Sequence, residues 1–153
     1  MKVGRTALVA GAATIGIVAA AAAVLFAWPR DDRAPVAEGR AVYDRHCASC
    51  HGAKLEGEPN WRERKPSGRM PAPPHDASGH TWHHPDAVLF GITKLGLVPG
   101  QYAPPGYQSD MPGFGGALAD DEIRAVIAYI KSTWPQEIRR AQHEATDRAR
   151  RSQ

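Results

Sequence analysis

Apolar residues are spread very unevenly along this chain. From Thr6 to Trp28 they form one run of 23 residues without a charged side chain. At ~1.5 Å per residue a helix of that length spans about 35 Å, enough to cross a hydrocarbon core of roughly 30 Å with some tilt. Further on, the pattern changes to helical periodicity. In Asp120 to Trp134 the residues Ile123, Val126, Ile127, Ile130 and Trp134 recur at i, i+3, i+4, i+7 and i+11, an amphipathic stripe. Asp120, Asp121 and Glu122 suit its positive end and Pro135 stops it. Pro35 to His46 predicts an earlier helix, with Pro35 at the first helical position and Gly39 and Tyr43 on one face. Pro85 to Lys94 predicts another, with Val88, Leu89, Ile92 and Leu95 as apolar positions. No strand-like alternation stands out.

Between these elements lie two long loops, Gly52 to His84 and Gly96 to Ala117, rich in Pro and Gly. Loops of this length are unusual in an ordinary domain. They are expected where a chain wraps a prosthetic group. From Pro29 to Gln153 the chain is long enough for one small domain with a limited core of its own. The final stretch from Gln136 carries five Arg and three acidic residues. It reads as a polar tail, either a frayed helix or disordered.

Charge adds topology. Lys2 and Arg5 precede the apolar run, so the positive-inside rule leaves residues 1–5 in the cytoplasm and puts the rest outside. A cleaved signal peptide is the competing reading, with A-x-A sites between Ala19 and Ala23. The run is longer than a signal core, which favours a single-pass anchor over residues 6–28, followed by a linker over 29–34. Subtracting Lys2 and Arg5 from the formal charge of +3 leaves +1 for the exported part. That is nearly neutral and shows no basic stripe with interleaved aromatics, so nucleic acid is not an expected partner.

The chemistry is concentrated in Cys47-Ala48-Ser49-Cys50-His51, a C-x-x-C-H motif that uses both cysteines of the chain. This is the pattern of covalent c-type haem attachment. Two thiols add across the two vinyl groups of one haem, and the adjacent histidine becomes an axial ligand. A thioredoxin-type pair expects a βαβ setting that is missing here. A zinc site needs four ligands, and there is no second cysteine pair. One motif implies one haem.

With Gly39 and Tyr43 in a leading helix, then C-A-S-C-H-G, then Met111-Pro112, then a closing helix with Tyr129 and Trp134, the region from Pro35 to Trp134 resembles the class I monohaem cytochrome c family. The resemblance implies an all-α, cytochrome c-like domain over residues 35–135, with three to four helices wrapped around one covalent haem behind the N-terminal transmembrane helix. It implies Cys47 and Cys50 as haem attachments, His51 as the proximal iron ligand and Met111 as the distal one. It also implies close crossing of the first and last helices, with Gly39 against Tyr129. Residues 136–153 depart from the family domain.

Local context also favours Met111 as the sixth ligand, since Pro112 keeps it out of a helix and the closing helix follows soon after. Met70, before Pro71, is the runner-up. A histidine from His75, His80, His83 or His84 would instead give a bis-histidine haem of lower potential. The same group could hold copper or zinc. Trp61, Arg62, Arg64 and Trp82 have the donor chemistry to meet haem propionates. The leading functional expectation is a membrane-anchored electron carrier of a bacterial cell membrane, its haem domain on the periplasmic or outer face. A quinol-oxidising cytochrome complex would be its donor and a terminal oxidase its acceptor. The alternatives are a haem sensor or enzyme with a labile distal site, and a metal-handling protein built on the His75–His84 loop.

Overall fold

A computed structural model describes residues 33–152 of the chain. The expected span from Thr6 to Trp28 lies outside them. Among the described residues no helix is long and apolar enough to cross a membrane. Regular structure among these residues is helical: α1 (Arg33–His46), α2 (Ala48–His51), α3 (Asp86–Leu95), α4 (Asp120–Ser132) and α5 (Gln136–Arg151), with a 3-10 turn at Thr81–His83. No strand forms among them, and the two long loops carry little more than turns.

Each helix follows from its sequence. α1 stops at His46, as the spacing predicts, but begins at Arg33, two residues before Pro35. α3 starts after Pro85, whose extended backbone makes it the residue before the helix. Gly96, at φ +79°, ends it in a conformation that only glycine adopts easily. α4 carries Asp120, Asp121 and Glu122 in its first turn, where they meet the positive end of the helix dipole. The residue before it, Ala119, has no side-chain acceptor to offer. Instead the Glu122 carboxylate reaches back to accept the Ala119 N–H at 2.9 Å.

α1 and α4 are the most closely packed pair, and they cross at Gly39. A Cβ at Gly39 would overlap the Ala125 carbonyl oxygen and lie 3.0 Å from the Tyr129 Cβ. This is the expected crossing. The surrounding core is Val42 and Tyr43 from α1, Ile123, Val126 and Ile130 from α4, and Leu55, Leu118 and Trp134 from the connecting segments. Each such side chain stabilises the fold by roughly 1.5–3 kcal/mol when fully buried. Leu95, expected on the apolar face of α3, is 52% exposed instead, while Phe90 packs towards the core. Gly39→Ala should therefore behave oddly for a helix. An open helix would gain about 1 kcal/mol from that change. Here overpacking is expected to cost roughly 1–3 kcal/mol. A thermal melt with an unchanged or raised midpoint would contradict the close crossing.

The sequence leaves the tail as a frayed helix or disorder. The structure shows a 16-residue helix with a docked face. Its buried residues are Gln142 and Thr146, polar side chains that a hydropathy pattern scores as solvent-facing. The Gln142 Nε2 amide donates to the Asp86 Oδ1 at 2.7 Å and the His84 carbonyl at 3.2 Å. The Thr146 hydroxyl oxygen accepts the Asp86 N–H at 3.1 Å. Lys131 of α4 donates to the same Asp86 oxygen at 2.6 Å. One polar knot thus joins α3, α4, α5 and the segment just before α3.

Gln142→Ala would strip a donor from this buried knot and is expected to lower stability by roughly 1–3 kcal/mol. The knot is also acid-sensitive. Burial alone would raise the Asp86 carboxyl, but Lys131 and Gln142 outweigh it and hold it below its usual range. A depressed carboxyl contributes stability above its ordinary pKa, near ~4, and loses it as pH falls through the lower folded value. Amide exchange in α5 should accelerate selectively on acidification below about pH 4, and in Asp86→Asn that pH step should vanish.

Candidate haem site

α1 delivers the attachment motif. Its last turn runs into Cys47, whose N–H donates to the Tyr43 carbonyl at 2.9 Å. The next turn is α2: Cys50 and His51 donate their N–H groups back to the Cys47 carbonyl at 3.1 and 2.9 Å. This tight turn puts both thiols and the imidazole on one short element. Gly52, at φ +81°, turns the chain out of it. The buried Tyr43 hydroxyl donates to the Gly52 carbonyl at 2.8 Å, which ties α1 to the end of the motif. Burial pushes that phenol well above its usual pKa.

The two cysteines are not bonded to each other. Cys50 is exposed and Cys47 is half-buried against the core. Burial, with a smaller push from Cys50, raises the Cys47 thiol to about 11. Catalytic redox pairs lower the thiol pKa instead.

His51 is the best-defined group of the site. It is 8% exposed. Its Nδ1 lies 2.8 Å from the Pro73 carbonyl oxygen. A carbonyl can only accept, so Nδ1 carries the proton and Nε2 keeps its lone pair. Burial lowers the pKa of the imidazole, the Pro73 bond opposing it in part, so the neutral form is favoured. A neutral imidazole anchored to a backbone carbonyl through one nitrogen, with the other a bare donor, is the usual arrangement of a metal-ligating histidine. The loop is built to place that carbonyl. Gly57 donates its N–H to the His51 carbonyl at 2.8 Å, and Glu58 donates to Ala72 at 2.9 Å. The Glu58 carboxylate accepts the Ala72 N–H at 2.6 Å and pairs with Lys65 at 3.0 Å. Those two bonds, the backbone one foremost, hold Glu58 below the usual carboxylate range.

The histidines separate into different roles. His75 lies flat on His51, with ring centroids 3.9 Å apart and planes 22° off parallel. It therefore sits on the same side as His51 and is not arranged to bind opposite it. His80 stacks on Trp61 at 5.4 Å and meets His84 edge-on at 5.7 Å, while His83 packs against Trp82 at 3.8 Å. Among the described residues no group of three or more His, Cys, Asp or Glu side chains could hold a metal ion. The buried indole N–H of Trp82 has no acceptor among the described residues. Arg62 does not share that setting: its guanidinium lies over the Trp61 ring at 4.2 Å.

Met111 is half-buried in the loop before α4, its N–H held by the Ser109 hydroxyl at 3.0 Å. Met70 is half-buried in the earlier loop. An ion pair between Arg69 and Asp110 joins the two loops at the residues immediately before these methionines. Pro73, the His75 stack and the Tyr43–Gly52 bond are parts of the site that sequence reading misses. The Pro73-Pro74-His75 run is the one local signal, because rigid backbone beside an imidazole marks a fixed wall.

The family model described as Cytochrome c matches residues 36–134, more than half of the chain. This chain belongs to the cytochrome c family. It is 32% identical over 141 residues to a protein of Corynebacterium efficiens named as the cytochrome c subunit of a cytochrome bc1 complex. That alignment takes in 79% of this chain but 45% of the relative, so the chain spans less than half of that protein's length. No solved structure matches the chain.

Proposed function

We propose that this chain is a single-haem c-type cytochrome that carries electrons rather than transforming a substrate. The observation that carries the reading is the His51 imidazole, protonated on Nδ1 by its bond to Pro73 and bare on Nε2, one residue from a pair of unbonded thiols. Cys47 and Cys50 would hold the haem by two thioether bonds. His51 would hold its iron from the proximal side and Met111 from the distal side. The bound haem supplies one-electron ferric–ferrous chemistry, its potential set by axial ligands and surroundings.

The protein's own residues do the rest. Pro73 orients the His51 imidazole through the bond from Nδ1 to its carbonyl. The apolar core around Tyr43, Ile123 and Trp134 excludes water from one side of the site. The unpartnered Trp82 indole fits a carboxylate acceptor of the kind a haem propionate offers, which would complete a buried donor. Residues 6–28 would anchor the domain to a bacterial cell membrane with the haem on the periplasmic or outer face. A quinol-oxidising complex as donor and a terminal oxidase as acceptor suit that position. The relative's name, a subunit of a bc1 complex, supports the first of these.

A potentiometric titration should give one wave with a single-electron slope. The reduced protein should not take up carbon monoxide quickly, because both axial positions are filled. Rapid carbon monoxide binding would favour a sensor or enzyme with an open distal site. Membranes should retain the protein through an alkaline wash; a mature N-terminus near Val24 or Asp31 would instead mean a cleaved signal and a released carrier.

A further inference from the structure

We propose that His75 is a positioning residue for the proximal ligand: its ring, laid flat on His51, fixes the orientation of that imidazole and favours the charge it carries when the iron is ferric. The inference rests on His51 being an iron ligand and goes beyond it to say how this chain tunes that ligand.

The first support is the placement itself. The two imidazoles stack at 3.9 Å with planes only 22° apart. The second is how completely His75 is pinned. Its N–H donates to the Leu55 carbonyl at 2.8 Å. Leu55 takes φ +65°, a left-handed conformation uncommon for a non-glycine residue. The Leu55 carbonyl accepts the Asp76 N–H as well, at 3.2 Å. The His75 carbonyl accepts the Trp134 indole N–H at 2.7 Å, a bond that spans 59 residues. The His75 Nδ1 lies 2.8 Å from the Thr81 hydroxyl. Tyr43 closes the side with its ring edge, centroids 6.4 Å apart at 71°. A residue held at two backbone points, with its ring held at Nδ1 and against one aromatic edge, is a fixed wall.

The chemistry follows from the stack. His51 can turn about its own bond to the iron, and the Pro73 bond restrains only one edge of its ring. The flat His75 face restrains the plane. A ferric iron withdraws electron density from the imidazole that binds it, so the His51 ring becomes more positive on oxidation. A neutral aromatic face against a positive group is stabilising. The His75 ring presents its face to His51 and is held there by the Thr81 hydroxyl at its Nδ1. The stack therefore favours the ferric state and holds the potential down.

The test compares His75→Leu, which removes the ring, with His75→Phe, which keeps a ring but loses the Thr81 bond. Both are equally apolar, so they separate stacking from polarity. Contacts of this type change equilibrium constants by roughly two- to fivefold. In haem-loaded protein the one-electron reduction constant should rise by about threefold in His75→Leu, which at about 59 mV per tenfold is roughly 28 mV upward. His75→Phe should stay near the wild-type potential. The paramagnetic NMR shifts of the ferric His51 ring should change in the Leu variant and be largely restored in the Phe variant. The wild-type protein gives a second reading that needs no variant: in the ferrous state, His51 and His75 ring protons should show direct nuclear Overhauser contacts. Equal potentials and shifts in Leu and wild type, equal upward shifts in Leu and Phe, or no such contacts, would overturn the proposal. Wild-type protein without covalent haem would instead overturn the haem reading on which it rests.

Discussion

Replacing Cys47 and Cys50 together with Ala is expected to abolish covalent haem and, with it, the folded domain. The chain has no other cysteine, so no third thiol can take over. Haem-specific staining after denaturing electrophoresis should fall to background. Each single variant keeps one thiol and should retain a fraction of the wild-type signal. The folding effect has a separate cause. The core among the described residues is small, and residues 52–80 and 96–117 are mostly turns and loops. A haem would supply much of the apolar centre of such a domain, so its loss is expected to remove a large share of the buried surface. Circular dichroism of the double variant should show a broad melt in place of a cooperative one. A double variant that kept stain and a sharp melt would refute the attachment assignment.

The second large effect concerns the distal ligand. Met111→Ala should leave covalent haem in place, because Cys47, Cys50 and His51 are untouched. It should abolish the near-infrared sulfur-to-iron band of the ferric protein and open the iron to cyanide and carbon monoxide. It should also change the potential, since a thioether ligand raises it. Met70→Ala should do none of this. The pairing of Arg69 with Asp110 makes the comparison informative, because it brings the two methionine loops together at adjacent residues. A band lost in Met70→Ala and kept in Met111→Ala would exchange the assignments. If the wild-type protein showed no such band, the ligand would have to be sought among His80, His83 and His84, since His75 is stacked on the His51 imidazole.

These outcomes bear on how much of the protein is legible in its sequence. α1 and α4 are readable because each buries a stripe that recurs at helical spacing, and because Pro35 and Pro135 lie within three residues of the start of α1 and the end of α4. Trp134 shows where periodicity stops helping. It lies beyond the last residue of α4, yet it is 2% exposed and holds the His75 carbonyl from 59 residues away. α5 is not readable as a docked helix because its buried face is an amide and a hydroxyl. Gln142 and Thr146 are accommodated by partners at residues 84–86, and no local pattern foretells such partners. The C-x-x-C-H motif is legible because covalent chemistry fixes its spacing. The wall behind it is not. Pro73, His75 and Tyr43 reach the site through loop geometry, which depends on turns at Leu55 and Gly57 rather than on any repeat.

The central claim is that one haem is bonded to Cys47 and Cys50. Trypsin should release the peptide from His46 to Lys54, which contains both cysteines and His51. Intact-peptide mass spectrometry of the purified protein tests the claim most directly. The account predicts this peptide bearing the mass of one haem, with neither thiol open to alkylation. Recovery of the same peptide without haem, with two alkylated cysteines, would contradict it.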